Sequence, residues 1–433
     1  MLDIKYIREN ADVVKKAARD KGVEIDIGQL LKLDDEVRKV RGELDESNRR
    51  RNELAEEGAK GKPSENVIKE GRQLKDEAAH LQVRLEAMET ELRELMLRVP
   101  NIPTSDTPVG SDESGNVVLR EVGTVPVFDF KPKDHLELGL SLGVLDVERA
   151  AKVSGSRFAY LKGSLAVMQF ALIQFALSIF TDEKILKKII KKAKLDVSSK
   201  PFCTIVPPVF INPDMFQKMA RLEPKDERYF IPSDDLYLVG SAEHTLGSMY
   251  ADEFLPENDL PIRYIGYSTA FRREAGSYGK DTRGILRVHQ FDKLEMESFS
   301  VPEDAVKEQD FFVAIQEYLL QELGLPYRVV AICTGDMGAP DARQIDMETW
   351  MPGQNTYRET HTADYMTDYQ SRRLGTRVKR DGKTEYVHMN DATALAIGRT
   401  LVAILENYQT KEGTVTVPKV LRPYMGGMKE IKR

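Results

Sequence analysis

The sequence has little of what disulfide-bonded, zinc-bound or membrane proteins require. It contains only two cysteines, Cys203 and Cys333, and neither belongs to a CxxC pair. We therefore expect a protein of the reducing cytoplasm and no zinc. The N-terminal residues are charged and form no apolar signal segment. The longest apolar run, residues 165–180, is shorter than the roughly 20 residues of a membrane helix, which favours a helix in a core or a subunit interface.

Several familiar catalytic motifs are also missing. The chain contains no GxGxxG, GxxxxGK[ST], HExxH or GxSxG pattern, and its six histidines show no ligand spacing. Rossmann dinucleotide binding, P-loop chemistry, zincin proteolysis and nucleophile-elbow hydrolysis therefore lack support. The formal charge of -7 excludes a basic nucleic-acid coat, so any contact with nucleic acid must come from a local patch.

What is present suits a soluble globular protein. Hydrophobic residues make up 41% and charged residues 31% of the 433 residues, which excludes disordered and collagen-like chains. This length predicts two or three domains.

Residues 1–103 predict a separate helical domain. A short helix over about residues 4–21 precedes two heptad seams, and a break rich in glycine, proline and serine separates the seams at residues 58–66. This pattern predicts an antiparallel coiled-coil arm over about residues 28–99, with about 30 residues in each helix and a length of roughly 45–50 Å. Pro100 and Pro103 end the second helix.

The tip of this arm is basic although the chain is acidic. Between Asn48 and Lys75, eight basic residues outnumber five acidic ones, which leaves a net charge of +3. Such a tip suits a phosphate backbone. Two alternatives remain open: a dimerisation coiled coil and ordinary solvated helix faces. The basic residues are Arg49, Arg50, Arg51, Lys60, Lys62, Lys69, Arg72 and Lys75.

Residues 104–433 predict a mixed domain, with a linker and a short helix near residues 134–140 before strands and helices alternate. The informative stretch is residues 264–300. A strand ending at Phe271–Glu274, a Gly-rich loop over residues 275–284 and a strand starting at Ile285 predict an antiparallel pair. The loop includes Gly276, Ser277, Gly279, Lys280, Asp281 and Arg283.

Alternation along these strands predicts a polar face. One strand presents Arg287, His289, Phe291, Lys293 and Glu295 on one side, and its partner presents Arg272 and Glu274. Arginine binds phosphate or carboxylate, phenylalanine stacks on a base and glutamate holds an ammonium group. The face therefore suits a nucleotide and a small zwitterion, although an exposed hairpin edge with salt bridges remains an alternative.

These residues resemble a known family. The stretch FRREAGSYGKDTRGILRVHQFDKLE resembles motif 2 of the class II aminoacyl-tRNA synthetases, specifically of seryl-tRNA synthetase. DATALAIGRTLVAILENYQ resembles motif 3, with Arg399 as its arginine, and helix 165–180 with the segment to Pro208 resembles motif 1. Residues 238–243 resemble the amino-acid loop, residues 358–373 the ATP strand with its trailing FQxRR, and the N-terminal hairpin the tRNA arm.

The resemblance implies an α+β fold: an antiparallel catalytic sheet flanked by helices in residues 104–433, and a tRNA-binding arm in residues 1–103. It implies a homodimer formed through motif 1. It also implies that ATP and serine give seryl-adenylate, and that the seryl group passes to tRNA(Ser). The chain is also similar to enzymes that serylate tRNA(Sec). The family requires Mg²⁺.

The resemblance also implies residue roles. Arg272 would bridge the α-phosphate and the serine carboxylate, and Arg287 and Arg399 would lie near the phosphates. The other ATP contacts would be Glu274, Val288, Phe291, Glu359 and Thr362, with Glu359 holding the metal. The serine contacts would be Ser241, Glu243, Arg272, Glu295 and Thr393.

Each of three residues could instead have a purely structural role. Glu359 could pair with Arg358 or Arg372, Phe291 could be plain core, and Thr393 could cap a helix over residues 394–406. At the level of function, the alternatives are a paralogue that activates an amino acid for a carrier protein and a catalytically silent tRNA-binding homologue.

The sequence departs from the family pattern near the amino-acid site. Ser241 replaces the usual Thr, Asp391-Ala392-Thr393 replaces Asn-Gly-Ser, and Ala363-Asp364-Tyr365 replaces Ser, Cys and Asn. The motif 1 region also carries a Lys-rich extension at residues 184–200.

Overall fold

The structure is a computed structural model that describes residues 1–59, 61, 64–275, 281 and 283–433. The chain divides into two compact units, Met1–Ile102 and Pro103–Arg433. Two predicted arm residues and four predicted loop residues lie outside the described residues: Lys60, Lys62, Gly276, Ser277, Gly279 and Lys280.

The first unit is helical. The predicted opening helical segment consists of two helices, because Asn10 ends one helix and begins the next, and its backbone N–H donates to the Tyr6 carbonyl. The helices are α1 (Ile4–Glu9), α2 (Ala11–Asp20), α3 (Ile27–Ala59) and α4 (Glu65–Arg98).

Helices α3 and α4 form the predicted antiparallel hairpin. Val37, Val40 and Leu44 of α3 pack against Ala78 and Leu85 of α4, as the heptad spacing requires. The pairs Arg41–Glu89 and Arg50–Glu70 join the helices, so numbers rise along one helix as they fall along the other. At 1.5 Å per residue, the 33 residues of α3 span about 50 Å.

The second unit combines helices and strands. Its helices are α5 (His135–Ser141), α6 (Val147–Ser154), α7 (Gly163–Phe180), α8 (Glu183–Ala193), α9 (Pro213–Lys218), α10 (Glu243–Gly247), α11 (Ala305–Leu323), α12 (Tyr369–Leu374) and α13 (Ile397–Asn407). Its strands are β1 (Val117–Val122), β2 (Leu145–Asp146), β3 (Tyr160–Leu161), β4 (Cys203–Ile205), β5 (Phe210–Ile211), β6 (Phe230–Ile231), β7 (Leu236–Leu238), β8 (Phe254–Leu255), β9 (Ile262–Phe271), β10 (Gln290–Ser300), β11 (Tyr327–Ala331), β12 (Arg343–Met351), β13 (Thr356–Tyr365), β14 (Arg377–Arg380), β15 (Lys383–Tyr386), β16 (His388–Ala396), β17 (Val415–Thr416) and β18 (Glu430–Ile431).

An eight-stranded sheet organises this unit, in the order β1-β11-β12-β13-β16-β10-β9-β4. Neighbouring strands are antiparallel except for β4 and β9, which run parallel. This confirms the predicted α+β fold. Strand β1 comes from the segment predicted as a linker, so that prediction is wrong: exposed residues of this segment pair with β11 at the sheet edge.

The period of two along the central strands separates the core from the polar face. On β10, Leu294 and Met296 enter the hydrophobic core that also contains residues of α7, α11 and α13. The residues that alternate with them, Lys293, Glu295 and Glu297, face away from that core. Alternation within one strand therefore brings three charged groups together on a buried sheet face.

Helix α7 is the apolar run seen in the sequence. By length and composition alone this helix could cross a membrane. Leu165, Met168 and Leu172 instead pack in the core of the second unit, a buried position that the sequence predicts. Other side chains of the same helix, Val167 and Phe170, are exposed.

Two local predictions fail. Strand β9 ends at Phe271 and β10 begins at Gln290, so Arg272, Glu274 and Arg287 lie in the connecting segment and not on paired strands. The backbone of Glu274 has φ 53°, a left-handed conformation that cannot continue an extended strand.

The predicted helix over residues 394–406 begins later than expected. Thr393 lies within β16 and is not a helix cap, because the strand continues to Ala396 and α13 starts at Ile397.

Candidate active site

One cavity of the second unit gathers the residues implied to contact ATP. It lies beside the segment between β9 and β10, with its walls completed by β13, β16 and the start of α13. Its lining includes Arg272, Glu274, Arg287, Val288, Phe291, Glu359, Thr362, Thr393 and Arg399. An adjoining cavity shares Arg272 and extends to Glu243 and Arg221. We call the first region the nucleotide half, and the region around Ser241, Glu243, Lys293, Glu295 and Asp391 the amino-acid half.

Arg272 links the two halves. Its Nε donates to the Gly240 carbonyl at 3.3 Å, which ties it to the loop that carries Ser241 and Glu243. Its guanidinium also lies over the Phe291 ring, with 5.6 Å between the guanidinium carbon and the ring centroid. The side chain is therefore held at the boundary where a group shared by two ligands would lie.

The other cations of the nucleotide half are paired with carboxylates. Arg287 donates from Nη1 to Glu274 Oε2 at 3.3 Å and from Nε to Asp281 Oδ2 at 3.2 Å. Arg358 contacts the same Asp281 carboxylate. Because the Arg287 side chain remains 32% exposed, exchanging these partners for phosphate oxygens costs little.

Arg399 stands at the first turn of α13 and contacts Glu359. Its Nη1 donates to the Glu359 carbonyl at 3.0 Å and to Oε1 at 2.8 Å. The predicted alternative partners, Arg358 and Arg372, contact Asp281 and Asp368 instead. Desolvation opposes ionisation of Glu359, but the nearby Arg399 and Arg272 guanidinium groups hold its pKa below the usual value.

The amino-acid half is built around buried carboxylates. Glu295 is fully buried on β10, and Lys293 Nζ lies 2.6 Å from its Oε2 and 3.2 Å from Ser241 Oγ. Thr393 faces Glu295 across the β10–β16 pair. Burial raises the pKa of Glu295 to about 7, with Lys293 acting in the opposite direction and Glu243 in the same one. The amino-acid half therefore already contains a cationic side chain, that of Lys293.

Glu243 begins α10, beside Ser241. Its Oε1 lies 3.1 Å from Arg221 Nε and 3.5 Å from His244 Nε2. Burial lowers the pKa of His244 to about 4, so this ring is neutral at physiological pH. Arg221 is therefore the charged neighbour in contact with Glu243 among the residues that the structure describes.

Two residues of the site escape sequence reasoning. Arg221 lies in an irregular segment after α9, where no periodicity or motif indicates an inward direction. Asp346 lies on β12, opposite Thr362 of β13 in the strand register. The alternating polar residues Gln344, Asp346 and Glu348 are a signal that could reveal Asp346, since they predict one polar face of a strand.

Six of the predicted arm residues are described, and all six are exposed. The helical arm carries three of them on each helix. Arg50 Nε donates to Glu70 Oε1 at 2.8 Å across the hairpin. The exposed residues are Arg49, Arg50 and Arg51 of α3, and Lys69, Arg72 and Lys75 of α4.

The chemistry of the site follows from its charges. Arginines converge in the nucleotide half, where they can bind phosphate oxygens and stabilise charge that develops during in-line attack. Carboxylates converge in the amino-acid half, where they can bind an ammonium group. With Arg272 between them, the arrangement can hold an amino acid and a nucleotide in contact, so that positioning itself promotes reaction.

Known proteins share this organisation. Residues 1–103 match the Seryl-tRNA synthetase N-terminal domain, and residues 228–408 match the tRNA synthetase class II core domain (G, H, P, S and T). The serine–tRNA ligase of Thermotoga neapolitana is 42% identical, with 98% of this chain and 99% of the relative covered.

Two solved structures extend the comparison. Seryl-tRNA synthetase from Pyrococcus horikoshii, complexed with ATP, is 38% identical with a TM-score of 0.89, and the match covers 100% of this chain and 99% of that one. The seryl-tRNA synthetase of M. kandleri, in complex with A. aeolicus tRNASec, shares the fold at 16% identity and a TM-score of 0.57, over 86% and 72% of the two chains.

Proposed function

The chain belongs to the seryl-tRNA synthetase family, and from that premise we propose which of its residues perform the reaction. The enzyme is a serine–tRNA ligase: it uses ATP to activate serine as seryl-adenylate and transfers serine to tRNA. The observation that carries the residue assignment is the position of Arg272, which contacts the amino-acid loop and the Phe291 ring at once.

In the nucleotide half, Arg272 binds the α-phosphate, and Arg287 and Arg399 bind neighbouring phosphate oxygens. Phe291 and Arg399 stack on the two faces of adenine, Glu274 accepts from its amino group, and Val288 contacts ATP through the backbone. Support comes from the shared lining of one cavity by all of these residues. The strained backbone of Glu274, at φ 53°, is typical of a residue held for binding.

The oxygen ligands in this half fit Mg²⁺. Glu359 and Thr362 supply carboxylate and hydroxyl oxygens, the donors this cation prefers. Burial and the neighbouring Glu359 raise the pKa of Asp346 well above its usual value, so the charge of Glu359 opposes ionisation of Asp346. A divalent cation relieves such a conflict. Glu359 would hold the ion, which when bound neutralises phosphate charge.

In the amino-acid half, Glu243 and Glu295 bind the serine ammonium, and Arg272 binds its carboxylate. Ser241 and Thr393 line the space for the side chain. The support is geometric, because Lys293 joins Glu295 to Ser241 and Thr393 faces Glu295 across two strands. Serine therefore enters a pocket with hydroxyl groups on its walls and carboxylates at its base.

The first unit binds tRNA through the exposed basic residues of its arm. Its substrate is tRNA(Ser). A second substrate, tRNA(Sec), is proposed because shape and phosphate contacts on an arm carry little base specificity. Filter binding with both tRNAs tests this proposal. If only tRNA(Ser) binds, tRNA(Sec) is not a substrate.

We place the enzyme in the cytoplasm as a homodimer. Val167 and Phe170 on α7 are exposed apolar residues next to the core, in the motif 1 region. Sedimentation equilibrium should give twice the 49.1 kDa chain mass. A monomer at micromolar concentration would contradict the proposed dimer.

The decisive experiment for the residue assignment is ATP–pyrophosphate exchange measured with each amino acid in turn. Serine should support exchange with wild-type enzyme, and Arg272→Ala should lower that exchange by about 10²–10³-fold. The matched control is Arg273→Ala, because Arg273 lies over the Tyr229 ring and outside the proposed ligand contacts. Equal loss in both variants would show that the effect is not specific to Arg272.

A further inference from the structure

A single arginine lies at the base of the amino-acid half, among carboxylates from four separate parts of the fold. Besides Glu243, Arg221 contacts Asp391 on β16, Asp364 on β13 and Asp341 in the segment after β11. From Nη2 the distances are 3.1 Å to Asp391, 3.4 Å to Asp364 and 3.3 Å to Asp341. The Arg221 side chain is only 15% exposed, so water screens these contacts poorly.

More buried carboxyl groups surround Arg221 than contact it directly. Glu297 lies opposite Asp391 in the β10–β16 register, is fully buried, and has no hydrogen-bond partner among the described residues. Glu295, the neighbouring acid on the same face of β10, forms an ion pair with Lys293. The buried carboxylates are Glu243, Glu295, Glu297, Asp341, Asp364 and Asp391.

Buried carboxyl groups this close together cannot all be ionised at once. Some of them therefore hold a proton, and others stay charged. Burial and neighbouring carboxylates raise the pKa values of Glu297 and Asp391 well above their usual range. Burial acts on Glu243 in the same direction, but Arg221 and then His244 and Lys293 hold its pKa well below the usual value. Glu243 is thus held in its charged form, and Arg228, which lines the same cavity, is a further cation whose charge interacts with it.

A bound metal is the alternative use of this cluster. Oxygens of Glu243, Glu295 and Asp391 lie within 4.8 Å of one another, close enough to share a cation. Arg221, however, already contacts Glu243 and Asp391, and Lys293 already contacts Glu295. Cationic side chains of the protein therefore stand where a metal would be needed.

We propose that Arg221 is a positioning residue for amino-acid binding: it fixes the orientation of Glu243 and keeps Glu243 in the carboxylate form that the serine ammonium requires. This inference rests on the proposed function, in which Glu243 binds that ammonium. Without the guanidinium, the pKa of Glu243 should rise, because burial is then opposed mainly by His244 and Lys293. A neutral carboxyl group attracts an ammonium only weakly.

The test measures ATP–pyrophosphate exchange for Arg221→Gln and Arg221→Lys between pH 6 and 9. We expect KM for serine to rise at least about tenfold at pH 7 in Arg221→Gln, with KM for ATP within about twofold of wild type. The pH midpoint of kcat/KM for serine should move up by about one unit or more, so that raising the pH restores part of the activity. Arg221→Lys should lose less, because it keeps the charge.

Three comparisons make the result decisive. Arg263→Lys alters another buried ion pair, Arg263 with Glu308, and should reduce stability without changing KM for serine or the pH profile. If Arg221→Gln raises both KM values together, or leaves the pH midpoint in place, its role is merely structural and the proposal fails. If Glu243→Gln leaves KM for serine unchanged, the ammonium assignment itself fails, and with it the proposed function of this half.

If Arg221→Gln does not fold, a second variant still tests the proposal. The double variant Arg221→Gln, Asp391→Asn places two amide groups where Arg221 donates to Asp391, which lowers the cost of leaving a buried polar group unpaired. It should still show the raised KM for serine and the shifted pH midpoint. Wild-type values for both quantities would overturn the proposal.

Discussion

The helical arm and the active site are both rich in charge, yet their charges have different surroundings. On the arm, Arg50 and Glu70 lie 2.8 Å apart with side chains 44% and 43% exposed. In the site, Lys293 and Glu295 lie 2.6 Å apart with side chains 6% and 0% exposed. Water screens the first pair and is excluded from the second.

This difference separates two uses of electrostatics. Exposed charges hold one another weakly, so an arm can exchange its internal partners for the phosphates of a long RNA. Buried charges interact strongly and set one another's ionisation, so a pocket can select a small ligand by charge and shape. Large effects of single substitutions are therefore expected in the site, and large effects on the arm require many residues to change.

The largest effect should come from removing the arm as a whole. Deletion of Asp34–Met96, replaced by a short linker, should leave serine-dependent exchange near wild type, because the two units are separately compact. Transfer to tRNA should fall by about 10³-fold or more, since a protein with 6–10 phosphate contacts loses that much affinity when salt alone weakens them. Aminoacylation with radiolabelled serine measures it. Normal charging by the truncated enzyme would show that the arm does not bind tRNA.

The next largest effect should come from replacing Arg272, an arginine of the active site. Arg272→Ala should lower the rate of adenylate formation by about 10²–10³-fold, the usual cost of losing a donor to developing charge. Exchange kinetics measure this loss, and circular dichroism shows that the variant is folded. Near-normal exchange would show that Arg272 does not bind the α-phosphate.

A change of pH should act on the site and spare the arm. Because Glu295 has a pKa of about 7, it is protonated below that pH and attracts the serine ammonium less strongly. We expect kcat/KM for serine to rise with pH towards a plateau above about 7, and to be roughly tenfold below the plateau at pH 6. The control is kcat/KM for ATP over the same range. A flat serine profile would contradict the assignment.

A smaller effect should follow from reshaping the pocket wall. Ser241→Thr adds a methyl group, and Thr393 already supplies one on the facing strand. We expect the variant to discriminate against threonine more strongly, since one methyl-sized change is worth about 1–3 kcal/mol. The kcat/KM ratio for serine over threonine measures it. An unchanged ratio would mean that Ser241 does not shape this space.

The smallest effect should come from a single exposed charge on the arm. Arg50→Ala should reduce tRNA affinity only a few-fold and lower the slope of log affinity against log salt by about 1. The thermal midpoint should stay at the wild-type value, because exposed ion pairs contribute little. A large loss of stability would show that Arg50 is less screened than its exposure indicates.

Much of the fold could be predicted from sequence because local patterns determine it. Heptads over two segments, a break rich in glycine and proline, and Pro100 after the second seam are enough to define a hairpin. Motif 2 likewise places Arg272, Glu274 and Phe291 near one another. Failures occur where a sequence pattern continues past the end of an element: strand β9 ends at Phe271, and Glu274 has a left-handed backbone, although side-chain alternation alone extends the strand.

The sequence by itself determined the arm, the α+β catalytic domain and the residue types of the site, since periodicity and motif spacing are local properties of the chain. Only the tertiary structure decided which charges meet. Arg221 contacts acids that lie between 22 and 170 positions further along the chain, at Glu243 and Asp391. No local spacing encodes such a contact, because it depends on strand order in the sheet and on how deeply each carboxylate is buried.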